Sequence, residues 1–183
     1  MVRINRVTTR GGDKGETSLG DGTRVRKDDP RIAAIGAVDE ANASIGLLRL
    51  VTRDAPDVTA MLSRIQNDLF DLGADLCVPG EGGERLRLTD TPVLRLEAEV
   101  TAMNAGLPAL TSFILPGGST GSAYAHMARA AARRAERAVA GVAQINLVLL
   151  RYLNRLSDHL FVLGRVLNDN GAGDVLWVPG ANR

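Results

Sequence analysis

The run Ala128-Arg129-Ala130-Ala131-Ala132-Arg133-Arg134-Ala135-Glu136-Arg137 constrains this chain more than any other stretch. Alanine and arginine are both strong helix formers, so the decapeptide predicts helix from end to end. At 100° per residue, Arg129, Arg133, Glu136 and Arg137 fall on one face, with Ser122 and His126 above them and Arg134 pointing elsewhere. Guanidiniums so close together suit bidentate clamping of a polyanion such as a nucleoside triphosphate. A solvated face with i, i+4 ion pairs would look the same, and the run by itself leaves the two readings even.

Composition narrows what the remaining chain can build. At 183 residues it is long enough for one domain with a substantial core. Hydrophobic residues make up 45% but aromatics only 3%, so the core must come from Leu, Val, Ile and Ala. That balance predicts packed helices rather than a β-sandwich. A net charge of +1 argues against general nucleic-acid or membrane-surface binding, so any phosphate recognition must be local. Cys77 is the only cysteine, and His126 and His159 are the only histidines, which leaves no disulfide framework and no zinc cluster. The N-terminus lacks an apolar signal region, and no stretch approaches the roughly 20 apolar residues of a membrane span. A soluble, cytoplasmic protein is expected.

Along the chain, residues 1–27 stand apart, with five glycines and seven Lys or Arg against three Asp or Glu. They read as an arm, either an ordered loop or a flexible one, without helix. Asp28-Asp29-Pro30 supplies a helix start, and a first helix is expected to run to near Asp54. A second runs from Pro56 to Cys77 on the stripe Met61, Leu62, Ile65, Leu69, Leu72 and Leu76. Residues 79–88 form a loop, and a third helix spans Thr91 to Ala105. Phe113-Ile114-Leu115 is short and extended, stopped by Pro116-Gly117-Gly118. Ser119 or Thr120 can cap the arginine helix, which ends near Gly141, and a fifth helix covers Ile145 to Asn168. The expectation is an all-α, five-helix bundle preceded by a glycine-rich arm, a single domain over 1–183 with arm 1–27, bundle 28–169 and tail 170–183.

Polar residues interrupt the apolar faces of two helices, and the arm supplies a third unusual element. On the first helix Asp39 and Asn42 project among Ile32, Ile35, Val38 and Ile45, so Asp39 would need a cationic partner, in the chain or from a neighbour, and Arg129 is the natural candidate. On the fifth, Asn154 and Ser157 lie within the stripe Leu147, Leu150, Leu153, Leu160 and Phe161, flanked by Arg155 and Asp158. Polar groups between bundle helices are where ligand sites are built, although a satisfied core hydrogen bond is the simpler reading for Ser157. The third is the run Thr8 to Ser18, where glycines would let backbone N–H groups approach phosphate oxygens. It matches neither the Walker A pattern nor G-x-G-x-x-G.

Six segments together resemble the PduO-type ATP:cob(I)alamin adenosyltransferases. They are Thr-Arg-Gly-Gly-Asp-Lys-Gly-Glu-Thr at 9–17, Lys-Asp-Asp-Pro-Arg at 27–31, Gly-Ala-Val-Asp-Glu-Ala-Asn at 36–42, Phe-Ile-Leu-Pro-Gly-Gly at 113–118, the arginine run at 128–137, and Asn-Arg-Leu-Ser-Asp at 154–158. They occur in the family's order and cover nearly the whole chain. The resemblance implies a ferritin-like five-helix bundle, assembled as a homotrimer with active sites at subunit interfaces. It implies transfer of the 5′-deoxyadenosyl group of ATP, with Mg²⁺, to the cobalt of cob(I)alamin, giving adenosylcobalamin and triphosphate. A cobalamin reductase and an adenosylcobalamin-dependent mutase are implied partners.

Carried over by position, the nucleotide contacts fall on Thr9, Arg10, Gly11, Gly12, Thr17, Ser18, Lys27, Arg133, Arg134, Glu136, Arg137 and Asn154. Asp39 and Arg129 match a salt bridge across the subunit interface. Arg133 matches the arginine tied most closely to the triphosphate, and Phe113 a phenylalanine at the corrin's lower face. One departure is Gly11, where the family often has threonine, so one side-chain phosphate contact is missing. Two other readings remain compatible with the residues: a phosphotransferase or ATPase acting at the γ-phosphate, and a nucleotide or cobalamin carrier. Trp177 reads more simply as packing for the tail than as a cover for the corrin.

Overall fold

The computed structural model describes residue 8 and residues 10–80 and 85–183. Five helices account for most of it: α1 (Pro30–Val51), α2 (Pro56–Leu76), α3 (Asp90–Asn104), α4 (Thr120–Ala140) and α5 (Val148–Val166). Before them comes a short antiparallel hairpin of β1 (Glu16–Ser18) and β2 (Arg24–Arg26), with Thr17 opposite Val25. The hairpin is an addition to the expected arm. Three-residue strands are too short to leave an alternation in the sequence.

The core is aliphatic, as the composition requires, with Tyr152 the one aromatic residue fully inside. α1 packs on α2 and α4, and α5 packs on α3 and α4. Toward the core α1 presents Ala34, Ala37 and Ala41, and α4 presents Ala125, Ala128, Ala132 and Ala135. Small side chains on both neighbours let the helix axes approach closely. The arginines of α4 are thereby left to the other side. Asp29 caps α1 by accepting from the Arg31 N–H at 2.8 Å, with Pro30 in the first turn. Ser119 caps α4 by accepting from the Ser122 N–H at 3.1 Å.

Two sequence expectations are corrected. The buried stripe of α5 is Leu149, Tyr152, Leu153, Leu156, Leu160 and Leu163, whereas Leu147 precedes the helix and is 66% exposed, and Asn154 is exposed rather than inside the stripe. Leucines on more than one face left the helix phase ambiguous. On α1 the buried face runs through Ala34, Ala37, Val38, Ala41, Ile45 and Leu48, which turns Asp39 outward to the surface. Asn42 is buried, donating to the Gln66 carbonyl at 3.2 Å while Gln66 donates back to the Asn42 carbonyl at 3.2 Å. It ties α1 to α2.

The tail is fixed from beneath. Buried Arg165 donates to Asp174 at 2.7 Å and to the Pro108 carbonyl at 2.8 Å, and Asn168 donates to Asp174 at 3.0 Å. This lays the tail beside the segment before α4, where Leu115 N–H donates to Val175 and Trp177 N–H donates to Phe113, at 2.8 and 2.7 Å. No described helix is long and apolar enough to cross a membrane.

Candidate active site

The arginine face of α4 meets α5 through two side-chain bridges. Arg133 donates to the buried Ser157 Oγ at 3.4 Å, and Asn154 Nδ2 donates to Glu136 Oε1 at 3.0 Å. Arg137 donates to the Arg133 carbonyl at 3.1 Å, so its guanidinium lies back over the same turn. Ser157 therefore is the satisfied core hydroxyl expected, and its partner is an arginine that remains largely exposed. Arg133, Glu136, Arg137 and Asn154 form one continuous polar surface. Arg134 leaves that surface and pairs with Glu40 on α1, an ion pair absent from the sequence reading.

Arg129 is set apart by its surroundings. It is half-buried beside Pro116, Gly117, Ala123 and His126, and its Nε has no hydrogen-bond partner. Burial, followed by the neighbouring charge of Arg133, lowers its pKa. The expected Asp39–Arg129 contact does not form within the chain. Asp39 lines a groove of about 440 Å³ between α1 and α2 with Ile35, Asn42, Phe70 and Cys77, and Phe70 is 69% exposed there. Arg129 opens into a different cavity on α4.

The segment before α4 depends on Gly118. Its φ of +92° suits glycine, and a Cβ there would collide with the Asn168 side chain. Asn168 in turn accepts from the Ser119 N–H at 3.0 Å, and Ser119 Oγ donates to the Leu167 carbonyl at 2.7 Å. Ahead of this turn the tail holds Phe113 through its carbonyl, which accepts from the Trp177 N–H, and the side chain is 76% exposed and 6.3 Å from Trp177 between ring centroids. Leu110, Phe161 and Trp177 complete an open aromatic pocket around it. Trp177 lies against Phe113 and lines the same pocket. His126, which lies under the same region, meets Phe161 edge-on at 6.2 Å.

The arm residues form a second polar group. A Cβ on Gly12 would lie 3.0 Å from Lys27 Nζ, so Lys27 reaches over the glycine turn. Lys27 N–H donates to the Gly15 carbonyl at 2.9 Å, and Arg24 donates to the Gly11 carbonyl at 2.9 Å and to Ser18 Oγ at 3.3 Å. Arg10 holds a left-handed backbone, φ +59°, at the head of this turn. Thr17 sits in the middle of β1. Thr9 lies outside the described residues. The hairpin is tied to the end of α2, where Gly20 N–H donates to the Cys77 carbonyl at 3.0 Å. The arm and the α4–α5 surface are thus anchored to different parts of the bundle.

A family model described as cobalamin adenosyltransferase matches residues 7–167. The chain belongs to the cobalamin adenosyltransferase family. It is 46% identical over 190 residues to the corrinoid adenosyltransferase of Mycobacterium tuberculosis H37Rv, covering 100% of this chain and 97% of that one. It is 52% identical over 181 residues to a cobalamin adenosyltransferase of Cupriavidus metallidurans, covering 96% and 95%. Among solved structures, a single-residue variant of the PduO-type ATP:corrinoid adenosyltransferase from Lactobacillus reuteri, complexed with cobalamin and ATP, superposes with a TM-score of 0.89. That match has 34% identity and covers 95% of this chain and 97% of that one. The adenosyltransferase fold thus spans both polar groups and the aromatic pocket.

Proposed function

We propose that this adenosyltransferase binds the triphosphate of ATP between the glycine arm and the arginine face of α4, and the corrin against the aromatic pocket at Phe113. The reaction is the family's: transfer of the 5′-deoxyadenosyl group from ATP to the cobalt of cob(I)alamin. The observation that carries the residue assignment is the continuous surface of Arg133, Glu136, Arg137 and Asn154, bridged from α4 to α5.

Cobalt(I) brings its own electron pair, so the protein needs no activated nucleophile. A cobalt–carbon bond forms at C5′ as the carbon–oxygen bond to the triphosphate breaks, and the leaving oxygen carries the electron pair away. Positioning and electrostatics are then the protein's share. Arg133 and Arg137 face the growing negative charge, with Lys27 from the arm. Arg10, Gly11, Gly12, Thr17 and Ser18 surround the phosphates, Gly11 through its backbone, and Thr9 belongs with them. Arg134, paired with Glu40, contributes charge from the rim. Phe113 presents an apolar face to the corrin and excludes a lower axial ligand. Mg²⁺ would be carried by the phosphate oxygens of the nucleotide, in keeping with its preference for substrate phosphates over an all-protein cage.

Asp39 and Arg129 support a homotrimer with shared sites. Each faces outward on its own side of the chain, and the two meet if a neighbouring copy brings Arg129 to the Asp39 groove. A single domain over 1–183, with arm, bundle and tail in the stated bounds, and a cytoplasmic setting complete the proposal. A cobalamin reductase would supply the cob(I) state, and a dependent mutase would take the product.

The test is anaerobic incubation with ATP, Mg²⁺ and chemically reduced cobalamin, following adenosylcobalamin and triphosphate together. Equal amounts of both are expected. Release of ADP or orthophosphate in their place would assign the protein to phosphotransfer.

A further inference from the structure

The connection between α2 and α3 carries an arginine that neither the arm nor the α4–α5 surface includes. Arg85 Nη1 donates to the Gly20 carbonyl at 2.7 Å, at the turn of the β1–β2 hairpin. Gly20 makes the opposite kind of bond with its N–H, to Cys77 at the end of α2. The hairpin turn is thus gripped on both sides, by the last turn of α2 and by the strap that leaves it. The fit is close, because a Cβ on Gly20 would lie 2.9 Å from the Val78 side chain. Next to Gly20, Leu19 is buried and anchors the turn in the bundle.

The strap itself is held rigidly just beyond Arg85. Asp75 is 1% exposed and accepts from Arg87 at 2.6 Å, from the Leu88 N–H at 2.8 Å and from Asn146 at 2.9 Å. Arg87 also donates to the Val78 carbonyl at 2.9 Å. The Asp21 carboxyl is held below its ordinary range first by hydrogen bonds from Thr23 and, more weakly, by the charge of Arg85. Arg85 is exposed and contributes nothing to the core.

We propose that Arg85 is a positioning residue for the nucleotide arm: by latching the Gly20 turn to the Asp75-anchored strap, it holds Gly11, Gly12 and Lys27 where they meet the triphosphate. This rests on the arm being the nucleotide-binding element. The hairpin meets α2 at its turn through Leu19, Gly20 and Arg85, and its other end, beside Gly11 and Gly12, runs on into α1, so loss of Arg85 loosens the turn while Leu19 and the Gly20 N–H still hold it. The nucleotide must then order the arm as it binds, which weakens ATP binding and leaves the bound geometry unchanged.

The experiment measures steady-state kinetics of the full chain for Arg85→Ala, Arg85→Lys and Lys27→Ala, with ATP and cobalamin each varied. Arg85→Ala is expected to raise KM for ATP about tenfold, the scale of one hydrogen bond from a charged donor. Its kcat at saturating ATP and its KM for cobalamin should stay close to those of the parent. Arg85→Lys, which keeps a donor, should restore most of the loss. Gly20→Val, which crowds Val78 from the other side of the turn, should act in the same direction. An unchanged KM for ATP in Arg85→Ala, with a raised one in Lys27→Ala, overturns the latch and leaves the arm's role standing. No change in either variant overturns both. Parallel loss in kcat and both KM values, with a lowered melting temperature, would make Arg85 merely structural and would also overturn the proposal.

Discussion

Four similar arginines on one helix occupy four different environments. Arg133 touches Ser157 and stays largely open, Arg134 is paired with Glu40, Arg137 folds back on Arg133, and Arg129 is half-buried without a partner for its Nε. Charge alone does not separate them, but these contacts do. In the proposed site, replacing Arg133 with alanine would remove a preorganised donor from the leaving group, so kcat/KM should fall roughly a hundredfold or more, about 3 kcal/mol of barrier. Anaerobic turnover near the parent rate would sink that role. Beside this row, His126 is 4% exposed and its Nδ1 lacks a partner. Burial lowers its pKa, the Arg129 charge adds to the effect, and Asp174 opposes it. A lowered folded-state pKa means stability that is complete above the unfolded value, about 6.5, and is lost as pH falls through the folded value. Urea unfolding of the parent should therefore show a loss between pH 7.5 and 5.5 that His126→Gln largely removes. An identical slope in both proteins would assign the acid sensitivity elsewhere.

Among the elements, what could be read in advance followed periodicity and caps. Asp29 with Pro30, Ser119 and the leucines of α2 are local signals, and α1 through α4 begin within a residue or two of where they predict. α5 starts later than expected because Asn146 Oδ1 accepts from the Val148 N–H at 3.0 Å and sets the first turn there. That asparagine is committed to a long-range node, since its Nδ2 also donates to Asp75 and to the Leu88 carbonyl. No sequence window contains Asp75, Leu88 and Asn146 together, so the node was invisible. The outward turn of Asp39 was missed for a related reason. The alanines that decide which face of α1 is buried carry little weight in a pattern dominated by isoleucine and valine. Asp75 gives a prediction for this scale. Asp75→Ala leaves the Leu88 N–H without its acceptor and strips the buried carboxylate from Arg87 and Asn146, which keep only backbone carbonyls, at a cost of about 3–5 kcal/mol. A urea midpoint close to the parent's would show that the three elements are held by other means.

For the whole molecule, the placement of the polar groups matters more than any one of them. Asp39 opens into a groove beside the exposed Phe70, and Arg129 opens beside Met127, which is 45% exposed. An acid and a base left outward on separate apolar margins suit a heterologous contact, in which one copy's Asp39 side meets the next copy's Arg129 side. A rotation that closes such contacts gives a ring. If the ring is the proposed homotrimer, sedimentation should give three copies, and Asp39→Ala should weaken the assembly and nearly abolish turnover. The sharper test separates shared sites from sites contained within one chain. Asp39→Ala and Arg133→Ala chains, each nearly inactive alone, are unfolded together and refolded as mixed oligomers. If a site takes Asp39 from one copy and Arg133 from its neighbour, random mixing restores about a quarter of the sites, because each subunit junction can receive both intact residues. If both residues serve a site within one chain, every site in the mixture carries a defect and activity stays at the level of the separate variants. Recovery of activity would show that the arginine face and the Asp39 groove, which this chain keeps apart, are joined only by assembly.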